Sequence, residues 1–249
     1  MRIPRLYTSQ SLSENQTISL SDEATHYLKN VLRMKSKREL VLFNGEGGQY
    51  HATIESVEKK GVSVAVGEYT AVNNESPLEL ELGVCIIKND AMDWLIQKAV
   101  ELGVTRISPL FSDYTDVKLS SERLEKKQQH WQQIAIHACE QCGRAIVPVV
   151  SKATTFDGWS RDVQTEKRII LHPYNASSFK EMAAPWLESE LTPGTFAIAL
   201  GPEGGFSDEE VGEALNSGFM PLSLGPRILR AETAPLAILP LLQSYFGDY

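Results

Sequence analysis

From residue 78 onward the chain alternates short apolar runs with segments of helical length. LELELGVCII (78–87), RISPLF (106–111), KRIILHP (167–173), TFAIALG (195–201) and MPLSLG (220–225) read as strands. DAMDWLIQKAVELG (90–103) and SSERLEKKQQHWQQIAIHACEQCG (120–143) read as helices. In the first of these, Trp94, Leu95, Lys98 and Leu102 recur at helical spacing, and Gly103 and Gly143 are stop signals. Strands that alternate with helices build a parallel sheet, because parallel neighbours need a long crossover and the crossover helices cover the sheet faces. The first 72 residues have another texture. ELVLFNG, QYHATIESV and GVSVAVGEYT are β-prone runs separated by the turn signals NGEGG and EKKG. SDEATHYLKNVL before them predicts a short helix with Ser21 as N-cap and Leu28, Val31 and Leu32 on one face. NNESP (73–77) is the linker candidate, dividing the chain into domains 1–72 and 73–249.

Bulk properties exclude several classes. No apolar run approaches the roughly 20 residues needed to span a bilayer, and MRIPRLYTSQ at the start has no apolar signal core. Three scattered cysteines make no disulfide framework. These features predict a soluble cytoplasmic protein. The net charge of −8 argues against a general nucleic-acid binder. It is unevenly spread: residues 1–72 carry +1 and the remainder −9. Within the first part KNVLRMKSKR (29–38) is a basic stripe, readable as a solvated helix-to-turn face or as a phosphate-contacting patch.

Ligands of open parallel sheets bind beyond the carboxyl ends of strands. Three loops lie at such ends: LHPYNA (171–176), LGPEGGF (200–206) and LGPRILRAETA (224–234). In the second, Gly201, Gly204 and Gly205 surround Glu203, a composition that lets backbone approach a ligand closely. The competing reading is a plain strand-to-helix turn, since Ser207 and Glu210 form an S-x-x-E capping box. In the third, Arg227, Arg230 and Glu232 fit either a site for a phosphate and a polar substrate or an ion pair capping the last helix. There is no G-x-x-x-x-G-K-[ST], no G-x-G-x-x-G and no G-x-S-x-G, so a Walker loop, a dinucleotide fingerprint and a hydrolase elbow are absent. The C-x-x-C of Cys139 and Cys142 lacks a second pair and falls in a helical segment, so no metal is expected.

LGPEGGFS, LGPRILRAETA, QKAVELGV (97–104) and EQCGR (140–144) occur together and in order. With RIPRLY (2–7) and HYLKNVLRMK (26–35), they make nearly the whole chain resemble the RsmE family of SPOUT-class methyltransferases. EQCGR carries Cys where the family often has a small residue such as Ser. The resemblance implies an α/β SPOUT fold whose late strands and last helix form a trefoil knot, behind an N-terminal PUA-like β-barrel associated with RNA. It implies a homodimer and an S-adenosylmethionine cofactor. The cofactor would contact Leu171, Leu200, Gly201, Glu203, Gly204, Gly205, Leu224, Gly225, Leu229 and Thr233. It implies methylation of uridine N3 in 16S rRNA, within the assembled small subunit.

That chemistry sets its own demands. An imide nitrogen must lose its proton as it accepts a methyl group. Glu232 is the candidate base, and Arg230 stabilises charge on the uracil oxygens. Glu203 either orients its loop or faces the sulfonium. The target base must be unpaired or flipped out. Expected RNA contacts are Arg2, Arg5, Lys29, Arg33, Lys35, Arg38 and Arg227. Two alternatives keep parts of this reading: a SPOUT enzyme acting on ribose 2′-oxygen, and a non-catalytic RNA-binding assembly factor.

Overall fold

The structure is a computed structural model that describes residues 3–59, 61–116, 120–188 and 194–249. The chain forms two compact units. One is Met1–Glu75 with Cys139–Val147, and the other is Ser76–Ala138 with Pro148–Tyr249.

In the first unit, strands β1 (Arg5–Tyr7), β2 (Thr17–Ser19), β3 (Glu39–Phe43), β4 (Gly48–Val57) and β5 (Val62–Ala71) form a sheet of order β1-β3-β4-β5-β2. The β3-β4-β5 meander is antiparallel, and β1 runs parallel to β3. Leu6, Ile18, Leu40, Leu42, Ile54 and Val64 fill its core. Helix α1 (Asp22–His26) starts where the sequence predicts, with the Ser21 Oγ accepting the Ala24 N–H at 3.2 Å. It then widens into a π-helical turn, Tyr27–Val31, instead of continuing as one α-helix. The extra residue per turn changes the phase of the side chains. Leu28 stays buried, whereas Val31 and Leu32, expected beside it, are 58% and 39% exposed.

The EQCGR segment is structural within this unit. Arg144 is buried and donates to Glu75 Oε2 from Nε at 2.9 Å and from Nη2 at 2.6 Å. The Glu140 carboxylate accepts the Tyr7 N–H at 2.9 Å.

The second unit holds β6 (Glu79–Cys85), α2 (Asn89–Glu101), β7 (Arg106–Phe111), most of α3 (Ser121–Cys142), β8 (Val149–Val150) and β9 (Thr154–Thr155). Then follow α4 (Phe156–Asp162), β10 (Lys167–Leu171), β11 (Ser177–Ser178), α5 (Phe179–Leu187), β12 (Thr195–Leu200), α6 (Asp208–Asn216), β13 (Met220–Ser223) and α7 (Ala234–Phe246). The sheet order is β11-β13-β10-β12-β6-β7-β8, with β9 also paired to β7. Every pairing is parallel, as the alternation of strands and helices requires. Phe196 through Leu200 of β12 are all buried, the mark of a central strand covered on both faces. In α2 the inward residues are Met92, Leu95, Ile96, Ala99 and Val100, while Trp94 is 40% exposed. No helix among the described residues is long and apolar enough to cross a membrane.

One packing contact fixes a residue type. The indole of Trp159 lies flat against β6 and donates from Nε1 to Glu81 Oε1 at 2.7 Å. The same oxygen accepts the Ser108 hydroxyl at 2.7 Å. A Cβ on Gly83 would sit 2.5 Å from the Trp159 ring, and β6 is hydrogen-bonded on both edges, so its backbone cannot retreat. Gly83→Ala is therefore expected to lower stability by about 1–3 kcal/mol, as overpacking does. Denaturant titration of the purified variant reads this directly.

Candidate active site

The order β13-β10-β12 places three parallel strands side by side, so their carboxyl ends deliver three loops to one edge of the sheet. In the first loop, the His172 N–H continues the pairing by donating to Leu222 O at 3.0 Å. The chain then turns tightly, with Asn175 at φ +48° and Tyr174 O 2.7 Å from His172 Nδ1. In the second loop, the Gly205 N–H donates to Pro202 O at 2.9 Å, and Gly205 takes φ +74°. The loop folds back on itself so closely that a Cβ on Gly201 would lie 3.1 Å from the Gly205 carbonyl carbon. The third loop reverses at Gly225, φ +94°, which side chains adopt only under strain. It ends in a turn where the N–H groups of Thr233 and Ala234 donate to Arg230 O at 2.9 and 3.1 Å, launching α7.

These loops and the start of α2 enclose a cavity of about 670 Å³, a size typical of small-ligand sites. Its wall combines glycine backbone, the leucines that end the strands, and five charged side chains: Lys88, Glu203, Arg227, Arg230 and Glu232. The cations outnumber the carboxylates, which favours an anionic group at this edge despite the acidic chain. The Arg230 Nη1 lies 3.9 Å from Glu232 Oε1, with the Arg230 side chain 86% exposed and that of Glu232 25%. The pair is loose and water-screened, so either member is available to a ligand.

A family model for the RNA methyltransferase domain matches residues 74–243, and one for the RNA methyltransferase PUA domain matches residues 20–67. The chain is 39% identical to the ribosomal RNA small subunit methyltransferase E of Buchnera aphidicola subsp. Schizaphis graminum, covering 99% of this chain and 98% of that one. It is 32% identical to the protein of the same name from Bacillus subtilis, over 92% and 90% of the two chains. The chain belongs to the ribosomal RNA small subunit methyltransferase E family. Among solved structures it resembles a putative methyltransferase from Legionella pneumophila in complex with the cofactor SAM, with TM-score 0.94, 39% identity and full coverage of both chains. It also resembles the Neisseria gonorrhoeae family member bound to S-adenosyl methionine, with TM-score 0.89, 34% identity and full coverage of both. The C-terminal fold is thus that of SPOUT methyltransferases, behind an N-terminal PUA domain.

Within this family member, Leu171, Leu200, Gly201, Glu203, Gly204, Gly205, Leu224, Gly225 and Leu229 all line the one cavity, together with Arg230 and Glu232. Arg227, expected to meet RNA, lines it too. Thr233 does not; it directly precedes α7, without a side-chain capping bond, between two residues that do line the wall. The competing readings of two motifs prove compatible with a site. The Ser207–Glu210 capping box forms and the glycine loop before it still opens on the cavity. Sequence reasoning missed Lys88, His172, Tyr174 and Ile228 on this wall. His172 and Tyr174 lie in a loop already singled out. Lys88 follows β6, where the strand-end rule applies equally, but no glycine marks it.

The basic residues of the first unit separate into two groups. Arg33, Lys35 and Arg38 are exposed on an irregular turn, with Arg33 and Lys37 at φ +51° and +67°. Lys29 donates to Glu58 O at 3.0 Å. Arg5, also expected to meet RNA, is half-buried and its guanidinium is engaged within the unit. It donates to Cys139 O at 2.7 Å, to Arg144 O at 3.2 Å and to Gln49 Oε1 at 3.0 Å, over the Phe43 ring. Desolvation lowers its pKa from the usual arginine value. Arg2 lies outside the described residues. Burial, only partly opposed by Arg144, pushes the Cys139 thiol up to about 12, so the free thiol is a protonated core group at neutral pH.

Gly225 has open space around its Cα, so the cost of a side chain there is purely conformational. Gly225→Ala is expected to destabilise the second unit by about 1–2 kcal/mol, the usual cost of a left-handed alanine. Chemical denaturation checks it, and the same variant is expected to loosen the third loop.

Proposed function

We propose that this chain is an S-adenosylmethionine-dependent methyltransferase that modifies uridine N3 in 16S rRNA of the small ribosomal subunit. The observation that carries the reading is the convergence of three glycine- and leucine-bearing loops on one cavity, in a fold shared with relatives that hold this cofactor. The residues fit such a group. Gly201 has little room for a side chain where the loop doubles back, and Gly205 turns it in the left-handed region at φ +74°, which keeps peptide groups at the cavity surface. Leu171, Leu200, Leu224 and Leu229 supply apolar contact for an adenine and a thioether chain. Thr233, which opens α7 beside them, is carried in the same set. When bound, the cofactor supplies an electrophilic methyl group.

The rest is the work of this chain's side chains. Glu232 takes the imide proton of uridine N3, and its partial burial in the cavity wall keeps it close to the reacting edge. Arg230, exposed at the rim, donates to the uracil oxygens as negative charge develops on them. Arg227 holds a neighbouring phosphate. Glu203 orients the glycine loop. The base enters unpaired, since N3 lies on the pairing edge. In the first unit, Arg33, Lys35 and Arg38, with Lys29 beside them, track the RNA backbone, and the acidic remainder discourages unspecific binding.

The same reading carries domains at 1–72 for RNA and 73–249 for methyl transfer, a cytoplasmic location, and a homodimer that covers the 74% exposed Ile228 at the cavity rim. It also carries a trefoil knot. The knot rests on the family resemblance; the strand order, in which β13 pairs with β10 rather than β12, is compatible with it.

The test is incubation with labelled S-adenosylmethionine and small subunits that lack native methylation, followed by nucleoside mass spectrometry. N3-methyluridine is expected. A ribose-methylated nucleoside would overturn the chemistry while keeping the cofactor, and absence of cofactor binding would overturn the enzyme. Glu232→Gln is expected to lower turnover by at least about a hundredfold, the usual contribution of a positioned base, with cofactor affinity unchanged by calorimetry.

A further inference from the structure

The glycine loop is gripped from outside by a turn to which the proposed chemistry gives no task. Strand β7 ends at Phe111, and Ser112–Thr115 form a tight turn. The Thr115 N–H donates to Ser112 O at 3.0 Å and the Ser112 N–H to Thr115 Oγ1 at 2.9 Å. Asp113 and Tyr114 stand at the tip, and both face the segment that follows β12.

Asp113 closes a ring of hydrogen bonds with the start of α6. The Ser207 hydroxyl donates to Asp113 Oδ2 at 2.7 Å, and the Asp113 N–H donates to Glu210 Oε1 at 3.0 Å. The other Glu210 oxygen accepts the Ser207 N–H at 2.9 Å, while Ser207 Oγ accepts the Glu210 N–H at 3.2 Å. A helix-capping box needs only the last two bonds. The first two connect it to a different strand and fix where the glycine loop ends. Tyr114 fixes its middle: a Cβ on Gly204 would lie 3.2 Å from the Tyr114 Cβ and 3.6 Å from its Cγ, so the base of the tyrosine side chain rests directly on the loop. On the inner side the loop is held by buried Pro202 and by Phe206, whose ring lies 4.4 Å from that of Phe156. Between these two walls the peptides of residues 203–205 have little freedom, although Glu203 and Gly204 are exposed.

We propose that Asp113 and Tyr114 are positioning residues for the cofactor site. They clamp the LGPEGGF loop in its ligand-accepting shape, so that binding does not have to order it. The inference rests on the reading of that loop as the S-adenosylmethionine loop. An ordering cost that the free protein has already met raises affinity without adding a contact.

Two pairs of variants test this. Asp113→Ala removes the acceptor for Ser207; Asp113→Asn keeps an oxygen there. Gly204→Ala presses on Tyr114; adding Tyr114→Gly removes the atom it meets. Calorimetry with S-adenosylmethionine is expected to show about tenfold weaker binding for Asp113→Ala, the loss of one charge-assisted hydrogen bond. Asp113→Asn is expected to recover most of it. Gly204→Ala is expected to weaken binding, with recovery in the double variant. Turnover at saturating cofactor should stay within a few-fold in the two Asp113 variants, which separates positioning from catalysis. Hydrogen exchange at the Gly204 and Gly205 amides of the ligand-free chain gives an independent reading, and it should accelerate in Asp113→Ala. Unchanged exchange and unchanged affinity in that variant would overturn the clamp. So would a loss of affinity that Asp113→Asn does not repair and that tracks a fall in melting temperature. Failure of the wild-type chain to bind the cofactor would instead overturn the functional reading, and with it the cofactor role of the clamp.

Discussion

The parallel pairing of β13, β10 and β12 is the constraint on which the site depends. Its register sets Leu171 opposite Leu222 and Ile170 opposite both Ala199 and Pro221. Parallel neighbours cannot be joined by a hairpin, so each strand leaves the sheet at the same edge and returns through a helix. Three loops distant in sequence therefore emerge within a few ångströms of one another. Beneath them β12 is buried almost throughout, and β10 and β13 bury Ile169, Ile170 and Leu222, which gives the loops a firm base. Glycines at the exits then let backbone, rather than side chains, form much of the cavity surface.

The wall is graded from firm to open. Pro202 and Phe206 anchor the glycine loop in the core, and the Asp113–Ser207–Glu210 ring fastens its far end. At the rim, by contrast, Arg230 and Ile228 are among the most exposed side chains of the chain. The Arg230–Glu232 pair, 3.9 Å apart in contact with solvent, gives little stability and so costs little to rearrange when a substrate enters. Function on loops held by a rigid scaffold is the common division of labour. Here the scaffold holds the glycine loop firmly, while the rim side chains stand open to solvent.

The contrast between Arg5 and Arg33 shows where sequence reading loses resolution. Both are basic residues in N-terminal segments, and composition treats them alike. Arg33 is exposed, while Arg5 is folded under carbonyls of a segment some 135 residues away and over Phe43. Such long-range partners leave no local trace. The same holds for EQCGR, whose buried Arg144 is matched to Glu75 in the structure but looks like a free charge in the sequence. The π-helical turn at Tyr27–Val31 is a third case, since a helical pattern carries no mark of an inserted residue.

The sequence by itself determined the parts that depend on neighbours close in the chain. These are the alternation that demands a parallel sheet, the caps at Ser21 and Ser207, the glycines at strand ends, and the motifs that identify the family. Each rests on local backbone preference or on apolar periodicity, and these act over a few residues. Only the tertiary structure decided which strands are adjacent, and hence that loops starting at residues 171, 200 and 224 share one cavity. It also decided that Lys88 joins them, that Arg5 is withdrawn, and that a turn after β7 grips the glycine loop. Strand order and side-chain pairing are settled by the packing of the whole unit, and no single segment of sequence contains that information.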